Sequence, residues 1–367
     1  MSKVAVANGH IDLDLSRNEA APSAKEHGSA RPAAVRMSSL SIPTILRDQM
    51  HSVVAQADHE APAFFVADVS EVLSQLKRWR KALPRVHPFF AIKCNPDPVF
   101  MQALAAEGTG FDCASQEEIA AVLQLGVDPS RIIYANPTKQ ASMVRYASQV
   151  GVQMMTFDNA EELHKVAKHH PQADMVLRIL VDDSKSICKF GAKFGAAMDS
   201  VPSLLKTALD LNISVIGVRY ISSLSLKKQN VINQRTSFHV GSGCMDAESF
   251  AEAVANAKKV FDLAAELGKP MTFLDVGGGF PGSQPSYGSI TFEDIAAVLG
   301  PAIDKHFDKS VRVIAEPGRY FVSAAMTLAT QITSRRTVAP IDGEVNPSYM
   351  YLSPHDSVKA LQDTHCV

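Results

Sequence analysis

The chain has 367 residues, 46% of them hydrophobic and 20% charged, with a formal net charge of -2. Such a composition suits one large globular domain with part of another. The near-neutral charge gives no reason to expect nucleic acid or an anionic membrane as partner, and no apolar run approaches the roughly 18 residues a membrane span needs. Residues 1–40 lack an apolar signal core and carry Asp12, Asp14 and Glu19, which argues against a secretory or organellar address. The five cysteines (Cys94, Cys113, Cys188, Cys244, Cys366) are scattered without metal-ligand pairing. They read as reduced cytosolic thiols, so a cytoplasmic location and no metal are expected.

Residues 1–40, rich in Ala, Ser and Asn and without periodicity, predict a flexible tail. From Ala63 onward, short apolar runs alternate with amphipathic stretches. Predicted strands cover 89–93, 110–113, 132–135, 153–157, 175–180, 215–218, 273–276 and 311–315; predicted helices cover 98–107, 116–125, 160–168, 202–211 and 247–267. Continuous apolar strands with helical crossovers indicate a parallel sheet buried on both faces. Eight such units fit a closed TIM-type (β/α)8 barrel, which typically needs about 250 residues. A doubly wound open sheet is the alternative.

Polar signatures end these strands, at the face where a barrel carries its active site. Lys93-Cys94-Asn95 ends the first and Asp112 the second; Arg178 lies in the fifth, and His239-Val240-Gly241-Ser242-Gly243 follows the sixth. Asp275 to Gly282 covers the seventh and Glu316-Pro317-Gly318-Arg319 the eighth. The triplet Gly277-Gly278-Gly279 lets backbone N–H groups approach an anion. With Gly318-Arg319 and Ser242-Gly243 it reads as a phosphate cradle rather than as tight turns beside a surface arginine. Lys93 is either a solvated strand end or a partly desolvated carbonyl nucleophile with a lowered pKa. A phosphate cradle opposite an imine-forming lysine is the footprint of pyridoxal 5'-phosphate. Glu316 is then the candidate partner of the pyridine nitrogen, its alternative being a salt bridge with Arg319. His239 either stacks on the ring or packs in the core. Asp112 and Arg178 either orient Lys93 and Glu316 or satisfy each other.

These residues stand in text that resembles the eukaryotic ornithine decarboxylases, fold-type III pyridoxal phosphate enzymes with an alanine-racemase-like barrel. The matching runs are Phe-Phe-Ala-Ile-Lys-Cys-Asn at 89–95, Gly-Phe-Asp-Cys-Ala-Ser at 110–115, Arg-Ile-Ile-Tyr-Ala-Asn-Pro at 131–137 and Gln-Met-Met-Thr-Phe-Asp at 153–158. Phe-His-Val-Gly-Ser-Gly-Cys at 238–244, Gly-Gly-Gly-Phe-Pro-Gly at 277–282 and Ala-Glu-Pro-Gly-Arg-Tyr at 315–320 complete them. The resemblance implies Lys93 as the Schiff-base lysine, Glu316 at the pyridine nitrogen and His239 on the ring. It implies Ser242, Gly279, Gly318 and Arg319 on the phosphate, with Asp112 and Arg178 in support. It further implies decarboxylation of L-ornithine to putrescine in polyamine biosynthesis, a homodimer, and antizyme binding through residues 138–168.

Two departures from that pattern stand out. The family's sixth strand runs directly from the segment matched by 215–218 into the segment matched by 237–240; here residues 219–236 intervene, mostly polar, with the character of a retained intron. The expected consequence is an interrupted strand, with His239 and Ser242 displaced. The match then ends at Tyr351, and residues 352–367 read as unrelated. The expected organisation is therefore a tail (1–40), a barrel with its lead-in (41–320), the start of a C-terminal β-domain (321–351) and an unrelated end. The rest of that domain, which in the family supplies substrate-binding residues and the dimer, has no counterpart in the text. Little or no turnover is expected, and the strands from Val322 to Thr333 are expected to lack sheet partners. The alternatives are a non-catalytic regulator resembling the antizyme inhibitors and a stand-alone barrel that binds pyridoxal phosphate.

Overall fold

The computed structural model describes residues 42–56, 63–180, 195–221, 247–283, 290–330, 332–337 and 348–352. The tail expected at 1–40 and the end at 353–367 lie outside them. In chain order the elements are α1 (Ile42–Gln56), β1 (Phe64–Ala67), α2 (Val69–Ala82), β2 (Val86–Ala91), α3 (Pro98–Ala106), β3 (Gly110–Cys113), α4 (Gln116–Gln124) and β4 (Ile132–Tyr134). Next come α5 (Ala141–Gln149), β5 (Met154–Phe157), α6 (Ala160–His169), β6 (Asp174–Leu180), α7 (Val201–Asp210), β7 (Ser214–Ile221), α8 (Glu248–Glu266) and β8 (Phe273–Asp275). The series ends with α9 (Phe292–His306), β9 (Arg312–Ala315), α10 (Arg319–Val322), β10 (Met326–Ala329), β11 (Ile332–Thr337) and β12 (Ser348–Leu352).

Strands β2 to β9 close a parallel barrel, with β9 returning to β2 through Val86↔Val313. This is the expected TIM-type (β/α)8 barrel, and the open sheet is excluded. Its floor is an apolar layer of Phe89, Ile133, Met154, Val176, Phe273 and Ile314, contributed by six of the eight strands. Gly110 leaves room for this layer: a Cβ there would lie 2.5 Å from the Phe89 ring. Because side chains on a strand alternate with period two, the next inward position on each strand lies one layer nearer the C-terminal mouth. Those positions include Asp112, Arg178, Asp275 and Glu316, so the floor passes directly into a charged layer.

Strand β7 departs from expectation. It does not stop at Val218; Arg219, Tyr220 and Ile221 continue it, with Arg178↔Arg219 and Leu180↔Ile221 in register against β6. The first three residues of the intervening segment thus complete the barrel strand, and Ile221 takes the place that the resemblance gives to His239. Tyr220 is fully buried and suits a strand interior. Residues 222–246 lie outside the described residues.

By contact the chain divides into residues 72–324 and a second unit that combines residues before 72 with those from 325 onward. In the second unit β10 pairs antiparallel with β1, from Phe64↔Ala329 to Ala67↔Met326, and β11 pairs antiparallel with β12. The expectation of partnerless strands after Val322 is overturned, because the lead-in segment supplies a strand for β10.

Candidate active site

Lys93 was placed at the end of a strand; it lies just beyond one. Strand β2 ends at Ala91, and Ile92–Cys94 wind into a 3-10 turn closed by the Asn95 N–H donating to the Ile92 carbonyl at 2.9 Å. Asn95 Oδ1 accepts from the Asp97 N–H, and Asp97 Oδ1 caps α3 by accepting from the Val99 N–H, both at 3.0 Å. Pro98, in the first turn, fits a position that donates no helical hydrogen bond. The lysine is thereby fixed between a barrel strand and a capped helix. Its side chain is 55% exposed, and its Nζ donates to Oδ2 of the buried Asp112 at 2.5 Å. The confined mouth favours the neutral amine, but attraction to Asp112 and Glu316 outweighs it and holds the Lys93 pKa above the usual lysine range. The expected lowering is therefore corrected: with a carboxylate in contact, Lys93 rests as an ammonium.

Behind this pair lies a buried charged cluster. Arg219 donates from Nη2 to Glu316 Oε2 and places Nε 3.5 Å from Asp275 Oδ2, while its Nη1 donates to the Ala135 carbonyl at 3.4 Å. Burial pushes the Glu316 carboxyl well above the usual range, and Asp112 and Asp275 add to this against the pull of Arg219. Burial likewise raises Asp275, opposed by Arg219. Arg178, side by side with Arg219 across β6 and β7, falls to about 10 through burial and repulsion from Arg219. Glu316 Oε1, Asp275 Oδ2 and Asp112 Oδ1 are buried and accept no hydrogen bond. Glu316 does not pair with Arg319, the alternative weighed from sequence.

Sequence reasoning missed two members of this cluster. Asp275 was seen only as the start of the glycine run; it stands two residues beyond the buried Phe273, a parity that aims it into the barrel. Arg219 gave no signal, because it opens the segment that read as an insertion.

The glycine turn follows β8. Gly277 and Gly279 have φ of 68° and 96°, a left-handed backbone that favours glycine, and a Cβ on Gly278 would press to 2.9 Å from the Glu316 carbonyl oxygen. The Gly277 N–H donates to Asp275 Oδ1 at 2.8 Å, and the Glu316 N–H donates to the Gly277 carbonyl at 2.7 Å, which couples this turn to the end of β9. Gly318 packs against Cys94, where a Cβ would come within 2.9 Å of the cysteine Cβ, and Arg319 next to it is exposed. Both turns rest on an aromatic cluster: Trp79 contacts Phe280, Phe292 and Tyr320, with centroids 4.8, 5.3 and 5.1 Å away. The structure thus gathers Lys93, Asp112, Arg178, Gly279, Glu316, Gly318 and Arg319 around the C-terminal end of the barrel. His239 and Ser242 lie outside the described residues.

The family profile described as "Pyridoxal-dependent decarboxylase, pyridoxal binding domain" matches residues 69–323. The chain belongs to this family. Its pyridoxal-binding domain is the barrel described above, and the family's cofactor is pyridoxal phosphate. Ornithine decarboxylase of Mus pahari is 51% identical over 293 residues, covering 79% of this chain and 59% of the relative. Antizyme inhibitor 2 of Xenopus laevis is 46% identical over 310 residues, covering 83% and 64%. Among solved structures, arginine decarboxylase of Paramecium bursaria Chlorella virus superposes with a TM-score of 0.69 at 32% identity, covering 79% of this chain and 73% of that one. The chain thus spans about three fifths of the ornithine decarboxylase it matches.

The described residues of this barrel suit pyridoxal phosphate. A partly exposed lysine faces a buried carboxylate, and acceptor atoms on Glu316 and Asp112 have no protein donor. A glycine turn that excludes Cβ atoms stands beside them.

Proposed function

We propose that the chain carries the cofactor centre of an ornithine decarboxylase, which removes the α-carboxylate of L-ornithine to give putrescine, a step of polyamine synthesis. The contact of Lys93 with Asp112, in the same mouth as the buried Glu316, carries this reading. Pyridoxal phosphate, when bound, supplies an electron sink for the bond pair that the departing carboxylate leaves behind. Lys93 would hold the cofactor, and Asp112 fixes the lysine Nζ at the barrel mouth by accepting its hydrogen bond. Glu316 would take the ring nitrogen, and Arg178 would balance the carboxylates around it. Gly279, Gly318 and Arg319 would hold the phosphate, joined through the resemblance by Ser242, and His239 would stack on the ring. A homodimer in the cytoplasm completes the proposal.

The test uses the purified chain. Added pyridoxal phosphate is expected to give a protein-linked absorbance band that is lost in Lys93→Ala. Carbon dioxide release is then compared for ornithine, lysine and arginine; release from lysine or arginine alone would assign a different substrate.

A second reading is favoured by the 46% identity to an antizyme inhibitor: binding of antizyme without turnover. Residues 138–168 form less surface than their polarity suggests, since β5 is buried throughout and Glu162, Leu163 and Val166 face inward. Arg145, His164 and Lys168 remain exposed, as does Glu161. Antizyme captured by wild type but not by a triple Ala variant at Arg145, His164 and Lys168, with no gas evolved from any amino acid, would favour this reading.

A further inference from the structure

Arg219 is a single cation shared by two buried carboxylates, Glu316 and Asp275. We propose that Asp275 is a positioning residue: by sharing Arg219 it leaves the two carboxylates one positive charge short, and a pyridine nitrogen docked on Glu316 would keep a proton to make up the difference. This rests on the reading above, in which Lys93 and Glu316 take the cofactor.

One glycine fixes the spacing of the two carboxylates. The Gly277 N–H donates to Asp275 Oδ1 at 2.8 Å, and the Gly277 carbonyl accepts from the Glu316 N–H at 2.7 Å. Arg219 stands opposite Asp275 in the register of β7 and β8. Its Nη2 donates to Glu316 Oε2, while its Nε lies 3.5 Å from Asp275 Oδ2, where attraction persists without a hydrogen bond. Both carboxylates are buried, so salt and water screen neither charge much. The other charges around the mouth do not supply the missing cation. Lys93 is held by Asp112, and Arg178 on β6 is drawn to Asp158, beyond β5, more strongly than to Glu316. Glu118 on α4, which accepts from the Ala114 N–H at 2.5 Å, adds a further carboxylate. Glu316 meanwhile offers Oε1, a buried oxygen without a donor, as the place for a proton-bearing partner. Across a few ångströms at an effective dielectric of about 20, one buried charge changes proton affinity on the order of a hundredfold. Asparagine at 275 would keep an acceptor for the Gly277 N–H and remove only the charge, which separates the electrostatic part of Asp275 from its part in the turn.

The experiment loads the full chain with pyridoxal phosphate labelled with 15N in the ring and follows the ring-nitrogen resonance as pH rises from neutral. Wild type is expected to start protonated. Asp275→Asn is expected to lose that proton at a hydrogen-ion concentration on the order of a hundredfold higher than wild type. Arg219→Gln, which leaves the carboxylates without their cation, is expected to hold the proton at least as long as wild type. Damage to the fold would loosen the ring in both variants alike, so their divergence marks an effect of charge. An unprotonated wild type overturns the proposal, as does an Asp275→Asn resonance that loses its proton no earlier than wild type. Should Asp275→Asn fail to fold, earlier proton loss in Arg219→Gln overturns the proposal, and retention at least equal to wild type supports it. If no chain shows Lys93-dependent binding in the first place, the reading of the site fails and the role of Asp275 falls with it; Lys93-dependent binding with an unshifted Asp275→Asn fails the inference alone.

Discussion

Two lysines of the barrel follow strands and contact carboxylates, yet their surroundings are opposite. Lys139, beyond β4, is fully buried and gives its three protons to the Asn136 carbonyl at 3.0 Å, the Thr156 carbonyl at 2.7 Å and Glu162 Oε1 at 2.9 Å. Glu162 in turn accepts from Lys165 at 2.5 Å, so each member of that network is satisfied. Lys93 has one carboxylate contact, more than half of its side chain exposed, and neighbours with bare acceptor atoms. Burial drives Lys139 down to about 8 against the pull of Glu162, whereas Asp112 and Glu316 keep Lys93 high. By pKa alone, Lys139 is the better nucleophile. Access and unsatisfied partners point to Lys93. A saturated buried network fixes a fold, while one with spare acceptors has capacity for a ligand.

The sharpest way to break this comparison is to remove one carboxylate from each network. Glu162→Ala leaves the buried Lys139 ammonium uncompensated and is expected to cost about 3–5 kcal/mol. Glu316→Gln leaves Arg219 with Asp275 and is expected to change stability by no more than about 1 kcal/mol. Urea unfolding of both variants measures the difference; equal losses would mean that both networks are structural.

Next in size is the pH dependence of stability. The folded pKa of Lys139 is depressed to about 8 below an unfolded value near 10.4. Between those values the unfolded chain binds the extra proton, so stability rises with pH across that window. The contribution is complete above the unfolded value and is lost as pH falls through the folded one. It amounts to roughly 3 kcal/mol, and Lys139→Met, which leaves Glu162 with Lys165, is expected to abolish the rise. A rise of the same size in the variant would assign it to other groups.

The smallest effect concerns Lys93. Asp112→Asn removes the strongest attraction holding its proton, so the pH midpoint for forming the pyridoxal phosphate band is expected to fall. An unchanged midpoint would show that Asp112 does not control this proton.

Much of the barrel was legible because buried parallel strands read as short apolar runs such as Phe89-Phe90 and Met154-Met155, and periodic helices such as α6 and α8 separate them. α5 was missed: among its nine residues only Val144 and Ala147 are buried, too few to mark a helical stripe. Lys93, Asp112 and Glu316 were visible because each follows or sits in an apolar strand within a distinctive run. Arg219 was hidden for a physical reason. Its place depends on whether β7 continues past Val218, a question of hydrogen-bond register with β6 and β8 that composition does not answer. Lys139 and Glu162 were hidden by their type, since charged residues usually face solvent and these two are buried only because they satisfy each other.

The two lysines also supply the most direct test. The full chain is incubated with pyridoxal phosphate near neutral pH and reduced with borohydride, and its peptides are mapped by mass for a pyridoxyl group. The expected result is a single modification on Lys93, with Lys139 untouched despite its lower pKa. Modification of Lys139 in place of Lys93, or of neither lysine, would contradict the assignment of this mouth as the cofactor site.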